Sequence, residues 1–193
     1  MEEMNPIARF QAALASAEAR GVPLANAMAL ATADANGRPS VRMVLLKGVD
    51  ERGFVFYTNL GSRKARELRD RPFASLCFHW ATLEEQVRIE GRVEQVSDEE
   101  ADAYFATRPR GSQVGAWASK QSETLDDPAR FHEAVREIEA RYAGGPVPRP
   151  PFWSGFLVRP ETIEFWYGKP DRLHDRMVFT RTPDGWSLRR LYP

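Results

Sequence analysis

The chain has 193 residues, 42% of them hydrophobic and 28% charged, and its 27 basic residues are balanced by 27 acidic ones. This composition supports a packed core in a single domain spanning residues 1–193, and it excludes wholesale disorder and a generally basic nucleic-acid surface. One cysteine, Cys77, excludes an internal disulfide and any multi-cysteine metal centre. The acidic start Met1–Pro6 does not read as a signal peptide, and no apolar run approaches the roughly 20 residues that span a bilayer, so a cytoplasmic protein is expected.

Residues 6–20 read as a short amphipathic helix within an N-terminal arm, 1–25. Strands are expected at Ala27–Ala33, Ser40–Val49 and Gly53–Thr58, with a turn at Asn36-Gly37. A helix is expected from Ser62 to Asp70, stopped by Pro72. Strands follow at 73–80 and 86–96. Alternation in the second places Val87, Ile89 and Val93 inside and Arg88, Glu90 and Arg92 outside. Cys77 and His79 are expected to pack in the core.

Ser97-Asp98-Glu99-Glu100 is a capping box that opens another helix, ended by Pro109 and Gly111. A third helix covers 127–142, with Phe131, Val135, Ile138 and Tyr142 on its packed face and His132 in solvent. A Pro/Gly-rich loop, 144–151, leads into strands at 153–167 and 174–190, the last two arms turning at Asp184-Gly185. Short strands joined by hairpin-length connections, with few helices between them, predict a mainly β (α+β) fold. The expected form is an antiparallel split barrel with flanking helices. Parallel strand–helix–strand repeats are missing, and so are the Walker, GxGxxG, HExxH and GxSxG signatures.

On this neutral background, positive charge is concentrated locally beside hydroxyls, amides and rings. Gly61-Ser62-Arg63-Lys64 places two cations in a helix's first turn, against the helix dipole, which a bound phosphate would relieve. A solvated turn fits the same pattern. Arg42 and Lys47 bracket a strand that is apolar on both faces, as in a central strand or an interface. Five residues apart, they reach one ligand only if the strand twists, bulges or ends at Lys47; otherwise they are exposed termini. Tyr104, Arg108 and Ser112 are spaced by four, with Ser112 on a loop beyond the Pro109-Arg110-Gly111 break. Together they suit a phosphate monoester, although an ordinary helix C-terminus also explains them. If extended, Arg172, His174 and Arg176 point to one side, as an anionic planar ligand would require. Trp166 either covers an aromatic ring or belongs to the core.

In order, the Arg42-x-Val44-Leu45-Leu46-Lys47 strand, the Tyr57-Thr58-Asn59…Ser62-Arg63-Lys64 turn, the Tyr104/Arg108/Ser112 spacing, Gln121-Ser122 and Arg172-Leu173-His174-x-Arg176 resemble the pyridoxamine/pyridoxine 5'-phosphate oxidase family across nearly the whole chain. The resemblance implies the FMN-binding split barrel and a homodimer with FMN at the subunit interface. It further implies an oxidase that converts pyridoxamine or pyridoxine 5'-phosphate to pyridoxal 5'-phosphate while O2 becomes hydrogen peroxide, in vitamin B6 biosynthesis and salvage. The FMN ligands implied are Arg42, Met43, Val44, Leu45, Leu46, Lys47, Tyr57, Thr58, Arg63, Lys64, Gln86, Gln121, Ser122, Trp166 and Arg176. Lys47, Tyr104, Arg108 and Ser112 are implied for the substrate phosphate. Arg172, Leu173 and His174 are implied beside the pyridine ring, with Arg172 and His174 nearest the reacting carbon. The C-terminal strands, 153–193, would complete the site. One departure is Gln11-Ala12-Ala13, where the family pattern has a Trp-containing stretch.

Overall fold

The computed structural model describes residues 5–193, so the reading of Met1–Met4 lies outside the described residues. Helix α1 (Pro6–Ala19) starts at Asn5, whose side chain accepts from the backbone N–H groups of Ile7 and Ala8. Pro6 at the first helical position has no N–H to leave unpaired. Phe10 anchors α1 in the core, edge-on to Phe54 at 4.9 Å and tilted against Phe78 at 4.8 Å.

Among the described residues nine antiparallel strands form one sheet: β1 (Ala27–Ala33), β2 (Pro39–Leu45), β3 (Gly48–Asp50), β4 (Gly53–Asn59), β5 (Phe73–Trp80), β6 (Glu85–Gln95), β7 (Trp153–Tyr167), β8 (Asp175–Thr182) and β9 (Gly185–Leu191). The pairing order is β2-β1-β5-β6-β7-β4-β3, and β8 and β9 branch from β7. The fifteen-residue β7 makes the branch possible. It pairs β6 along its length, β4 with its first half and β8 with its second. The two ends of the path, β2 and β3, are consecutive in sequence. At the join, the Leu46 N–H donates to the Asn26 carbonyl at 2.9 Å and the Lys47 N–H to the Val55 carbonyl at 2.8 Å. The sheet therefore closes on itself, with Leu46 and Lys47 at the seam. The single strand expected over Ser40–Val49 is two strands because the chain changes neighbours there.

Inside the barrel Leu30, Leu76, Phe78, Ile89, Val158, Ile163 and Phe179 are fully buried. Val87, Ile89 and Val93 face inward as alternation predicts, while Glu90 and Arg92 are exposed and Arg88 half-buried. Cys77 and His79 do not pack in the core: Cys77 is half-buried and His79 exposed. On β5 the inward face belongs to Ala74, Leu76, Phe78 and Trp80, and a period of two turns Cys77 and His79 outward.

Four further helices lie outside: α2 (Arg63–Asp70), α3 (Asp98–Ala106), α4 (Arg110–Ala118) and α5 (Pro128–Arg141). Helix α4 corrects the expected loop around Ser112. Pro109 ends α3 and also serves as the N-cap of α4, its carbonyl accepting from the Ser112 and Gln113 N–H groups. His132 is exposed on α5, as expected, and Ile138 is that helix's buried residue. Among the described residues no helix is long and apolar enough to cross a membrane.

Candidate functional site

A cavity of about 1080 Å³ opens where the β2–β3 seam, the end of β4, the start of α2 and the α3–α4 junction meet. Arg42, Lys47, Arg63, Lys64 and Arg108 line it, and among the described residues no carboxylate does. Met43, Val44, Leu45, Tyr57, Thr58, Tyr104, Ser112, Gln121 and Ser122 complete most of the wall. Arg42 and Lys47 reach one cavity because β2 ends at Leu45 and the seam turns Lys47 back beside β4. Leu46 differs from its expected role, since its side chain is buried in the core and does not line the cavity.

The start of α2 is not a solvated turn. Ser62 caps the helix and is fully buried, and Lys64 is only 8% exposed. The Lys64 ammonium donates to Gln121 Oε1 at 2.9 Å, Thr58 Oγ1 at 3.1 Å and Ser62 Oγ at 3.4 Å, all neutral oxygens. Burial, aided by the nearby Arg42 charge, brings its pKa down to about 8. The loop after α4 is tied to this helix start, for the Arg63 N–H donates to Ser122 Oγ at 3.2 Å. Ser122 holds φ at 75°, left-handed backbone that a non-glycine residue keeps only where its surroundings enforce it.

At the opposite wall, Tyr57, Tyr104 and Trp153 stack in parallel. The Tyr57–Tyr104 centroids are 3.9 Å apart and the Tyr57–Trp153 centroids 5.4 Å. Arg108 lies over the Trp153 ring at 4.7 Å, and its buried Nη1 has no hydrogen-bond partner among the described residues. Burial holds the Arg108 pKa below its usual value, with Tyr104 acting the other way. Burial likewise raises the Tyr57 phenol to about 12, with Glu100 and Tyr104 adding to the effect.

Gln86, Trp166, Arg172, Leu173, His174 and Arg176 do not line the cavity. Gln86, Trp166 and Arg176 are register partners across β6, β7 and β8, so they form a row on one face of the sheet. Arg176 Nε donates to the buried Glu164 at 2.8 Å, and Arg88 also pairs with Glu164. Burial alone would raise the Glu164 carboxyl, but hydrogen bonds and charge from Arg176 and Arg88 hold it below its usual value. Arg172 is not extended as expected. Pro170–Arg172 form a short 3-10 turn, with φ of 56° at Asp171 and 61° at Arg172. His174 packs on Trp166, their centroids 4.6 Å apart, and its Nδ1 accepts from the Lys169 N–H at 3.2 Å. Arg172 and Leu173 are exposed.

By register, the face carrying this row also carries Cys77, His79 and the β2 residues Val41, Met43 and Leu45. Val41 is 70% exposed and Met43 65%. Of the two explanations for a strand apolar on both faces, a central strand covered on both does not fit these exposures, and an exposed apolar face of this kind is what an interface offers.

Residues 14–142 match the family model described as pyridoxamine 5'-phosphate oxidase. Residues 153–193 match that of the pyridoxine 5'-phosphate oxidase C-terminal dimerisation region. The chain belongs to the pyridoxamine 5'-phosphate oxidase family. A curated relative from Anaeromyxobacter dehalogenans, named pyridoxine/pyridoxamine 5'-phosphate oxidase, is 60% identical over 189 residues, covering 98% of this chain and 96% of that protein. One of the same name from Agrobacterium fabrum is 58% identical, covering 100% of this chain and 94% of its own length. Among solved structures, PhzG from Burkholderia lata 383, in complex with tetrahydrophenazine-1-carboxylic acid, superposes with a TM-score of 0.94 at 33% identity, covering 98% of this chain and 93% of that one. A pyridoxamine 5'-phosphate oxidase-related, FMN-binding protein from Nostoc punctiforme shares the fold, with a TM-score of 0.77 at 20% identity.

In this family member, sequence reasoning missed Trp153, Asn59 and Glu67. Trp153 carries no pattern beyond opening a strand. Asn59 sits in the Tyr-Thr-Asn turn, where its Nδ2 donates to the Ser119 carbonyl at 3.0 Å. Glu67 follows Arg63 at helical ion-pair spacing, a signal too common to single it out.

Proposed function

We propose that this chain is an FMN-dependent oxidase that converts pyridoxamine or pyridoxine 5'-phosphate to pyridoxal 5'-phosphate. The observation that carries the proposal is the cavity itself, with five cationic side chains and, among the described residues, no carboxylate in its wall and no partner for a buried Arg108 nitrogen. That lining fits phosphate esters, and the volume lies just above the roughly 300–1,000 Å³ of small-molecule sites, room for a cofactor and a substrate together.

Arg42, Arg63 and Lys64, with Thr58 and Gln121, hold the FMN phosphate. Lys47, Tyr104, Arg108 and Ser112 hold the substrate phosphate, with the Tyr57–Tyr104–Trp153 stack as a rigid backing. Each charge-assisted hydrogen bond contributes roughly 1.5–3 kcal/mol, so binding energy concentrates at the phosphates and fixes where the substrate carbon lies. Bound FMN supplies the electron acceptor and returns the electrons to O2, giving hydrogen peroxide. The alcohol gives up a hydride equivalent from its carbon and a proton from its hydroxyl; the amine loses the same two electrons from its carbon, after which water supplies the aldehyde oxygen and ammonia leaves.

The row of Gln86, Trp166 and Arg176, with Arg172, Leu173 and His174 beside it, serves the cavity of a second copy in a homodimer. Its place on the open face, and the match of 153–193 to a dimerisation region, support this. Arg172 and His174 act as positioning and electrostatic groups against the pyridine ring. With its Nδ1 lone pair engaged by the Lys169 N–H, a neutral His174 carries its proton on Nε2 and presents a donor there.

A second reading, oxidation of an unphosphorylated tricyclic acid, is favoured by the likeness to PhzG. Lys47, Tyr104, Arg108 and Ser112 argue for a phosphate instead. Purified protein should be yellow and release peroxide with pyridoxine 5'-phosphate but not with tetrahydrophenazine-1-carboxylic acid. A colourless protein that takes up no added FMN, or turnover of the tricycle alone, refutes the proposal.

A further inference from the structure

Behind the cation cluster lies a carboxylate that does not line the cavity. Glu67 sits one turn after Arg63 on α2 and is 4% exposed. Its Oε1 accepts from Arg63 Nε at 2.7 Å. Its Oε2 accepts from Thr32 Oγ1 at 2.5 Å, Ser40 Oγ at 2.6 Å and Arg42 Nη2 at 3.2 Å. The two hydroxyls also bind Arg42, which donates from Nη1 to Thr32 Oγ1 and from Nη2 to Ser40 Oγ, both at 2.5 Å. One side chain thus joins β1, β2 and α2, the elements that carry Arg42 and Arg63 to the cavity.

The charges explain why one carboxylate is shared. Among the described residues Glu67 is the carboxylate paired with Arg42 and Arg63, and Lys64 bonds only neutral oxygens, so of three positive charges two stay uncompensated. A phosphate monoester carries about −1.5 to −2 at neutral pH, which matches that remainder. Burial alone would raise the Glu67 pKa, but hydrogen bonds from Ser40, Thr32, Arg63 and Arg42 hold it at about 2, so the carboxylate stays charged.

We infer that Glu67 is the positioning residue of the FMN-phosphate site: it fixes the Arg42 and Arg63 guanidiniums toward the phosphate and trims the cluster to the charge of one dianion. The inference rests on reading this cluster as the FMN-phosphate site. It makes a prediction of opposite sign to simple electrostatics. Removing a negative charge beside an anion site should tighten binding, whereas losing the positioning should weaken it.

The test is Glu67→Gln, nearly the same shape without the charge, with FMN affinity measured by flavin fluorescence on the apoprotein. The Kd for FMN is expected to rise about tenfold to a hundredfold. The KM for pyridoxine 5'-phosphate, at saturating FMN, should move far less. A purely structural Glu67 would shift both alike, and FMN bound as tightly as in wild type, or tighter, overturns the inference. Should Glu67→Gln not fold, Thr32→Val leaves the charge in place while removing one tie. Weaker FMN binding then supports the inference and unchanged binding overturns it. Wild-type protein that fails to bind FMN overturns the underlying reading and the inference with it.

Discussion

Lys64 is where burial and function oppose each other most directly. Its ammonium is held with neutral partners at a pKa of about 8, against 10.5 for a free lysine. Between those values the unfolded chain binds the proton and the folded apoprotein does not, so apoprotein stability should rise with pH across that window. FMN binding should run the other way, because a phosphate beside Lys64 favours the charged form. We expect the FMN Kd to climb from about pH 8 upward, by as much as tenfold per pH unit, and to lose this dependence in Lys64→Met. A flat wild-type profile would remove Lys64 from the phosphate site. Arg108 belongs to the other cluster. Arg108→Ala should raise the KM for pyridoxine 5'-phosphate by roughly tenfold or more while moving the FMN Kd far less. Equal losses would mean that the two phosphate sites are not separate. The types of these residues stand out in the sequence, but their convergence does not. It depends on the Leu46–Lys47 seam and on a kink at Pro109.

Elements were legible where one face differs from the other. The alternation in β6 and the caps at Ser62 and Ser97 mark those elements plainly, and the structure uses both caps, whereas the cap at Asn5 emerged only in the structure. Helix α4 was hidden because Pro109 and Gly111 read as breakers, yet a proline before the first turn starts a helix as readily as it stops one. Run 73–80 was misread because most of it is apolar; its polar residues Ser75 and His79 fall at alternate positions with Cys77 between them, a weak period-two signal that places all three outward. Strand β6 also contains a bulge at Glu90/Gly91, where a Cβ on Gly91 would lie 1.9 Å from the Arg159 carbonyl oxygen. Gly91→Ala should therefore destabilise the protein by roughly 1–3 kcal/mol, lowering Tm by about 2–12 °C in a calorimetric scan. A Tm equal to that of wild type would show that the strands separate there at little cost.

At the scale of the whole molecule, the chain presents a cation-lined cavity and, apart from it, a Gln86–Trp166–Arg176 row on the outer sheet face. The proposed homodimer brings the row of each copy to the cavity of the other. Arg108→Ala and Arg176→Ala should each be poorly active at low substrate. Co-expressed, they should recover about a quarter of wild-type activity, since a mixed dimer keeps one intact site and half of the dimers are mixed. No recovery would mean that each chain builds its own site. The central claim, that cofactor and phosphorylated pyridine meet in this cavity, is tested most directly by anaerobic addition of pyridoxamine 5'-phosphate to the FMN-loaded protein in a spectrophotometer. The account predicts that the flavin bands bleach and return on admitting air. Flavin bands that stay unchanged with both pyridoxamine and pyridoxine 5'-phosphate would contradict it.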